Sequence, residues 1–227
     1  MAEIIEDADL RNKNYVFRDR FHAGELLAEK IGFHKEYLRN PIILAIPAGG
    51  VPVGAVIAKR LSLPMDMTIV RKLPIPLNPE AGFGSVSWDG EVTINRELAR
   101  ELQLSEQQIE SIIARVRTDI DRRMAKFRGK KAFPDLRGRS VIIVDDGLAS
   151  GYTMLSAIGS IRKYSPHEVT VAVPTASRNA IELVASRTNY LFCLNIRETI
   201  QFAVADAYQE WHDLTDQEVI LIIKDMF

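Results

Sequence analysis

The sequence contains one cysteine in 227 residues, Cys193, and its four histidines are scattered without an HExxH motif. One cysteine cannot form an internal disulfide or a cysteine-rich zinc site. No apolar run approaches the roughly 18 residues that a bilayer-spanning helix needs. The first ten residues, MAEIIEDADL, lack the apolar segment of a signal peptide. These absences predict a cytoplasmic protein with no membrane partner and no resident metal ion.

Charge of one sign is also lacking, because 29 Lys and Arg residues face 30 Asp and Glu residues, for a net charge of −1. Without a basic field we predict no nucleic-acid partner. Hydrophobic residues make up 47% of the chain, which is ordinary for a globular protein. The length suits one sizeable core, and we predict a single domain over residues 1–227.

The most informative stretch is residues 141–154, VIIVDDGLASGYTM. Val141 to Val144 are all β-branched, which predicts a buried strand. Asp145 and Asp146 follow directly, and a loop of small residues then leads into a helical pattern. Loop amides and a helix N-terminus bind phosphate, while carboxylates bind vicinal hydroxyls or a hydrated Mg²⁺. The stretch therefore predicts a site for a phosphorylated sugar.

This order of residue types resembles the phosphoribosyl pyrophosphate (PRPP) motif of type I phosphoribosyltransferases. The likeness covers thirteen consecutive positions and departs at Gly147, where the family more usually has an aliphatic residue. It implies that Asp145 and Asp146 are catalytic and hold the ribose hydroxyls. It also implies a loop that binds the substrate, made of Gly147, Leu148, Ala149, Ser150, Gly151, Tyr152 and Thr153.

Four other interpretations of this stretch make different demands on the sequence. A strand ending in a solvated turn would need no ligand. A two-component receiver domain would need a further Asp after the next strand, which instead runs into Pro174 and Thr175. A P-loop would need its GxxxxGK[ST] string, and a Rossmann site would need GxGxxG after a strand. Neither string is present in the sequence.

A second candidate loop follows the predicted strand Ile42–Ile46. It consists of Ala48, Gly49 and Gly50, and a helix over 51–61 begins directly after it. A glycine pair before a helix can bind an anion through its amides, although glycines there can also serve only a tight turn. The family resemblance implies a substrate-binding pyrophosphate loop. Ala48 stands where the family commonly carries Arg or Lys.

Two cations follow the next predicted strand, 65–70. Ligands bind beyond the carboxyl ends of strands in open α/β sheets, so Arg71 and Lys72 suit a pyrophosphate; a surface pair is the alternative. The family resemblance implies that both are catalytic and stand at the base of a lid over about 73–95. We expect a long loop at 73–84, followed by short strands at 85–88 and 92–95 around a turn.

The remaining segments predict helices and parallel strands. A capping box at Ser105 and an apolar stripe predict an inserted helix over about 105–129. Alternating strands and helices after residue 140 predict an α/β fold with an open, twisted parallel sheet flanked by helices. We expect a mobile lead-in at 1–15. The resemblance implies a small hood from 195–213 and the N-terminal segment.

Several side chains outside the main motifs are candidates for ligand contact. Either Arg18 or Arg20 reaches a phosphate, or both are surface charges. Asp206 could bind an exocyclic amine of an acceptor, and an aromatic hood residue could stack on its ring or pack in the core. The aromatic candidates are Phe202, Tyr208 and Trp211.

The resemblance also includes the segments FRDR, PAGGVPV and VRKL…NPE and spans most of residues 17–175. It is to a branch of predicted phosphoribosyltransferases with no settled acceptor. It implies Mg²⁺-dependent transfer of phosphoribose from PRPP to a nitrogen of a nucleobase or other small acceptor, with Mg²⁺ carried by PRPP or pyrophosphate. It also implies a homodimer. The alternative function is a regulator that senses PRPP or a nucleotide with little catalysis.

Overall fold

The computed structural model describes residues 2–35, 38–76, 78–199 and 201–225. Its centre is a six-stranded sheet whose strands all run parallel, in the order β1-β9-β8-β7-β2-β3. The strands are β1 (Glu3–Ile5), β2 (Ile42–Ala45), β3 (Met65–Met67), β7 (Ser140–Val144), β8 (Glu168–Ser177) and β9 (Tyr190–Arg197). The predicted α/β class with an open parallel sheet is confirmed.

Two layers of helices cover the sheet because its strands are apolar on both faces. On one face Ile142 and Val144 of β7 pack with α1 (Arg20–Gly32) and α2 (Gly50–Leu61). On the other face Val141 and Ile143 pack with α5 (Tyr152–Arg162) and α6 (Arg178–Ala185). Cys193 is buried in this second layer, as its apolar surroundings predict.

A separate antiparallel ribbon stands where a loop was predicted. It consists of β4 (Val70–Ile75), β5 (Asn78–Ser87) and β6 (Val92–Ile94). The loop predicted at 73–84 is therefore wrong: Pro74, Gly82 and Gly84 lie in paired strands, with register shifts at Leu73/Pro74 and Pro74/Ile75. Proline is tolerated in edge strands and at such irregularities. The hairpin around Asp89 is confirmed; the role of the ribbon as a lid stays a prediction, and Leu77 lies outside the described residues.

The predicted helix after the ribbon is confirmed as α4 (Glu106–Phe127), preceded by the short α3 (Arg96–Glu101). Ser105 and Gln108 form the expected capping box. The stripe of α4 is buried at Ile109, Ile112, Val116, Ile120 and Phe127. Its apolar face joins the core on the α1–α2 side of the sheet.

The first fifteen residues are not the lead-in that was expected. Glu3 to Ile5 pair with Tyr190 to Phe192 and add a strand to the sheet edge. A 3₁₀ turn at Ala8–Leu10 follows, and Asn12 and Tyr15 donate backbone bonds to Ile196 and Asp206. These backbone hydrogen bonds satisfy the polar groups of the segment. Their partners, Ile196 and Asp206, lie far along the chain, so no local sequence pattern indicated them.

The segment after β9 contains a 3₁₀ turn at Val204–Ala207 and ends in α7 (Asp216–Lys224). It packs against the N-terminal segment, since Phe17 and Tyr208 pair by backbone and their rings lie 5.6 Å apart. Tyr208 also reaches the carboxyl end of β7, where its hydroxyl donates to the Asp146 carbonyl. Ile200 of the predicted hood lies outside the described residues. No helix in the described part of the chain is long and apolar enough to cross a membrane.

Candidate functional site

The two predicted loops meet because the strands that carry them are neighbours. Ala45 of β2 pairs with Val144 of β7, so the two strands end at the same side of the sheet, the side of their carboxyl ends. Gly49 then lies against the acid pair: a Cβ added there would stand 1.9 Å from Asp146 Oδ2. A Cβ added at Gly50 would stand 2.4 Å from the Val144 carbonyl oxygen. The glycine pair therefore permits this close approach of the loops.

A cavity of about 350 Å³ opens at this edge of the sheet. The ribbon forms one wall, Asp145 and the small-residue loop form the floor, and the hood turn adds Val204. Asp146 and the loop of Ala48, Gly49 and Gly50 are not among the lining residues. A larger, more open hollow of about 570 Å³ between the ribbon and α4 holds none of the predicted site residues. The smaller cavity is lined by Lys72, Ala81, Gly82, Gly84, Asp145, Gly147, Leu148, Ala149, Ser150, Gly151, Tyr152, Thr153, Met154 and Val204.

Backbone hydrogen bonds and the conformation of Gly151 fix the shape of the small-residue loop. Leu148 exchanges backbone bonds with β8, accepting from Ser177 at 3.0 Å and donating to Thr175 at 2.9 Å. Gly151 adopts a left-handed φ of +80° directly before α5, which a residue with a Cβ rarely adopts. The exposed Ala149 and Ser150 and the first amides of α5 thus face the cavity, an arrangement that suits a phosphate.

The acid pair is less solvated than its place in a loop indicated. The Asp146 side chain is only 15% exposed, and Asp145 Oδ1 accepts a 2.9 Å bond from the Asp146 amide. Burial raises the pKa of Asp145 well above its ordinary value, and the charge of Asp146 raises it further. Burial also raises the pKa of Asp146, although the Arg20 guanidinium opposes that rise. The two acids are therefore electrostatically different.

Arg20 fixes Asp146 in place. Its side chain is 7% exposed, and its Nε donates to Asp146 Oδ2 at 2.8 Å. Its Nη1 donates to the His212 carbonyl at 3.0 Å, and its guanidinium lies 3.8 Å from the centre of the Trp211 ring. The expectation that Arg18 or Arg20 contacts a phosphate directly finds no support in this placement. Arg20 pairs with an acid, and Arg18 is exposed and pairs with Asp19.

We expect Arg20→Met to lower the free energy of unfolding by about 1–3 kcal/mol, since it leaves the mostly buried Asp146 carboxylate without its cation. Because Arg20 opposes the rise in the pKa of Asp146, the loss should be larger at pH 8 than at pH 4, since the unpaired carboxylate is costly only when it is ionised. Thermal melts across this pH range measure the loss. Arg18→Met, at an exposed site, is the control and should change little. A pH-independent loss would contradict the electrostatic role.

The two predicted cations point to different neighbours. Lys72 lines the cavity. Arg71 does not line it; its Nε lies 3.0 Å from Asp119 Oδ2 on α4. The difference follows from the strand: both residues belong to β4, not to the end of a core strand, and side chains alternate across a strand. The structure thus brings Lys72 to the acids and loop, and Arg71 to the inserted helix; a catalytic role for Arg71 stays a prediction.

Gly147 departs from the resembled motif for a local reason. A Cβ at this position would lie 2.6 Å from Val204 Cγ1 and 3.0 Å from Thr175 Cγ2. The hood turn thus occupies the volume that an aliphatic residue 147 would fill. Val204 was not among the predicted site residues, because no local sequence pattern links the hood turn to a loop so far before it in the chain.

The aromatic hood candidates differ in availability. Tyr208 is buried, and its hydroxyl donates to the Asp146 carbonyl at 2.7 Å. Trp211 packs on Tyr208 and Arg20. Tyr208 thus holds the backbone of Asp146, and Trp211 holds its partner Arg20. Phe202 is partly exposed and lies near Arg197, whose Nη1 contacts Asp206 at 3.4 Å. Phe202 thus lies apart from the contacts that hold the acid pair, and contact of an aromatic hood residue with an acceptor ring stays a prediction.

Comparison with known proteins agrees with this geometry. A family profile described as "Phosphoribosyl transferase domain" matches residues 89–211, more than half of the chain. Two Mycobacterium tuberculosis proteins, each named "Putative phosphoribosyl transferase", are 32% identical over 209 residues and 92% of this chain. The match covers 46% of their length, so this chain spans about half of these curated relatives.

Solved structures share the architecture. TT1426 from Thermus thermophilus is 34% identical, with a TM-score of 0.74, and the match covers 92% of this chain and 98% of that one. AQ2163 from Aquifex aeolicus is 13% identical with a TM-score of 0.50, which concerns the fold alone; that match covers 83% of this chain and 78% of the other.

Proposed function

Because the chain belongs to the phosphoribosyl transferase family, we propose that it transfers phosphoribose from PRPP to a nitrogen of a nucleobase or another small acceptor and releases pyrophosphate. One observation carries the proposal: a single cavity is lined by the small-residue loop before α5, by Asp145 and by Lys72. These are the groups that a phosphorylated ribose bearing a charged leaving group requires.

The loop and the acids would bind different parts of the substrate. The amides and hydroxyls of Ala149, Ser150, Gly151 and Thr153 would bind the 5-phosphate, beside the N-terminus of α5. Asp145 and Asp146 would accept hydrogen bonds from the ribose hydroxyls and stabilise positive charge on the ring as the C1–oxygen bond breaks. The ionised Asp146, aimed by Arg20, is the acid that retains its charge most readily.

The pyrophosphate would leave toward the glycine pair. Gly49 and Gly50 stand beside Asp146 at the end of β2, and Lys72 approaches from the ribbon. Amides and one ammonium group would share the leaving charge, since Ala48 supplies none. The ribbon would exclude water from the cationic ribose.

The donor set fits Mg²⁺ that arrives with the substrate. In the described part of the chain, no cluster of three or more acidic, His or Cys side chains could hold a metal by itself. Mg²⁺ retains several waters and commonly binds through one or two carboxylates plus substrate phosphates. Asp145 is the carboxylate nearest to this role, because Asp146 is already paired. When bound, Mg²⁺ would neutralise charge on the departing pyrophosphate.

A sensor of PRPP or a nucleotide is the second candidate, and Ala48 favours it. An uncharged residue in the pyrophosphate loop weakens leaving-group stabilisation without removing the phosphate cradle. The homodimer and the cytoplasmic location inferred from the sequence stay predictions.

Pyrophosphate release from PRPP and Mg²⁺, assayed over a panel of nitrogen acceptors, tests the enzyme. Release that depends on one acceptor would support the transfer reaction and name its class. Tight PRPP binding with no release from any acceptor would favour the sensor. Absence of PRPP binding would contradict the transfer reaction and a PRPP sensor, and would leave only a sensor of a nucleotide.

We expect Ala48→Arg to tighten pyrophosphate binding by about 5- to 10-fold, the value of one added exposed charge contact near 1 kcal/mol. Ala48 is partly exposed beside Gly49, so the longer side chain has room to reach the leaving group. Isothermal titration of Mg-pyrophosphate measures the change, with Ala48→Gln as the uncharged control. Unchanged or weaker binding by the Arg variant would mean that this loop binds another part of the ligand.

A further inference from the structure

Arg197, at the end of β9, is a buried guanidinium with little to bind. Its side chain is 4% exposed. Nη1 reaches Asp206 Oδ2 only at 3.4 Å, and Nε is buried without an acceptor anywhere in the described chain. The ring of Phe202 lies 5.4 Å from the guanidinium carbon. The arrangement leaves donors unused at a site where water is scarce.

Burial of the Arg197 guanidinium in this way lowers the stability of the fold unless a ligand accepts hydrogen bonds from its unused donors. A buried charge needs a close partner and saturated hydrogen bonds, and an unsatisfied buried donor costs about 1–3 kcal/mol. Asp206 is a weak partner, because its side chain is 42% exposed and keeps its own water. The cation therefore has unsatisfied capacity for an anion, behind a cover of Phe202 and Asp206.

Arg197 does not itself line the cavity, but the sheet places it near residues that border the cavity. Arg197 pairs with Ser177 in the register of β8 and β9, two residues beyond the pair Thr175 and Asn195. Side chains two apart share a face. Thr175 on that face is 3.0 Å from where a Gly147 Cβ would stand. Val204, two residues before Asp206, lines the cavity itself.

The strand order then separates Arg197 from the leaving group. The neighbours run β9, β8, β7, β2. Asp145 follows β7, the glycine pair follows β2, and Arg197 ends β9. Pyrophosphate held near β2 and an acceptor held near β9 would lie on opposite sides of the ribose. Displacement with attacking and leaving groups in line needs that disposition.

We infer that Arg197 binds the acceptor, and that the acceptor carries a carboxylate near its nucleophilic nitrogen. This inference rests on the proposed transfer reaction. The ligand oxygen replaces the loosely held Asp206 carboxylate and takes the charge-assisted bonds that Nε and Nη1 leave open. Phe202 offers a ring face to the acceptor.

The transfer balances with PRPP as the co-reactant. The lone pair of the acceptor nitrogen forms a bond to C1 of the ribose. The C1–oxygen bond breaks, and its electron pair leaves with pyrophosphate. Where the acceptor nitrogen carries a proton, as in orotate or anthranilate, that proton passes to solvent; the ring nitrogen of nicotinate has no proton and takes up the positive charge. Arg197 only binds and orients the acceptor anion in this step.

Matched acceptor pairs test the inference: nicotinate and nicotinamide, orotate and uracil, anthranilate and aniline. Each pair differs in a carboxylate. Pyrophosphate release should favour a charged member. Arg197→Met should lower kcat/KM for that member by roughly 10- to 150-fold, the value of hydrogen bonds to a charged group, and leave Mg-PRPP affinity unchanged. Arg197→Lys, which retains charge, should lose less.

Arg137→Met, at an exposed arginine, is the matched control and should behave as the unmodified protein. If no pair supports release, titration of each carboxylate into the PRPP-saturated protein decides: binding lost in Arg197→Met supports the inference, and no binding overturns it. Preference for neutral members, or equal loss for both members of a pair, also overturns it. Failure of PRPP itself to bind would instead contradict the proposed function.

Discussion

Asp145→Asn will lower pyrophosphate release by about 100-fold or more, because it removes the negative charge that stabilises the cationic ribose. The same substitution will raise the melting temperature by about 2–4 °C, the shift that roughly 1 kcal/mol produces in a chain of this size. Function and stability are expected to change in opposite directions because the acid is held in a mostly buried, mutually repelling pair.

The sign of the change in melting temperature follows from proton linkage. The pKa of Asp145 is raised in the folded protein above its ordinary value of 3.8. The stability associated with this group is therefore fully present below pH 3.8 and is lost as pH rises through the folded-state pKa. Asn has no charge to bury and can still accept the bond from the Asp146 amide through its oxygen. The gain in melting temperature should thus be larger at pH 8 than at pH 4.

Asp146→Asn is the matched control for this experiment. It should also impair turnover, but it should destabilise the protein by about 1–3 kcal/mol, since it leaves the buried Arg20 charge without its carboxylate. Melts and pyrophosphate release for both variants measure the contrast. Equal effects of the two substitutions on stability would contradict the assignment of different roles to the two acids.

We expect Gly49→Ala, in the loop after β2, to displace Asp146 and so to lower turnover. A Cβ would stand 1.9 Å from Asp146 Oδ2 and 2.2 Å from its carboxyl carbon, so the carboxylate has to move away from its bond with Arg20. Overpacking of this kind costs about 1–3 kcal/mol. Turnover should fall by at least about 100-fold, because a displacement of about 1 Å at a reacting centre has that effect.

Gly32→Ala serves as the control for the glycine substitution. Gly32 ends α1, and a Cβ there would meet only Leu61 Cδ2 at an ordinary 3.6 Å. The Gly32→Ala variant should retain full turnover. Its free energy of unfolding should rise by a few tenths of a kcal/mol to about 1 kcal/mol, because alanine has a higher helix propensity than glycine. Comparison of melts and single-turnover rates distinguishes the two. Normal turnover by Gly49→Ala would show that Asp146 can work from another position.

Local chemistry explains why the sequence predicted the centre of the site. The strand ending in Val144, the acids and the small-residue loop are contiguous, so strand propensity, charge and helix start all appear in one stretch. Ala48 to Gly50 could be joined to them because parallel strands deliver their loops to one edge. Both inferences rest on short-range pattern plus one general rule of sheets.

The parts that failed depend on long-range pairing. Pro74 and Gly82 indicate a loop when taken alone, yet they pair across the ribbon. Arg20 stands 126 positions from Asp146, and only the packing of α1 under the hood brings them together. Arg71 was placed at the end of a strand that stops at Met67. Tertiary contacts override local signals at these positions.

Isothermal titration of PRPP with Mg²⁺ tests the central claim most directly. The unmodified protein should bind one PRPP per chain, and Asp145→Asn, which should fold at least as well, should bind it measurably more weakly. The same affinity in both proteins would show that the acid pair does not hold the ribose. No binding to the unmodified protein would contradict the assignment of the cavity to a phosphorylated ribose.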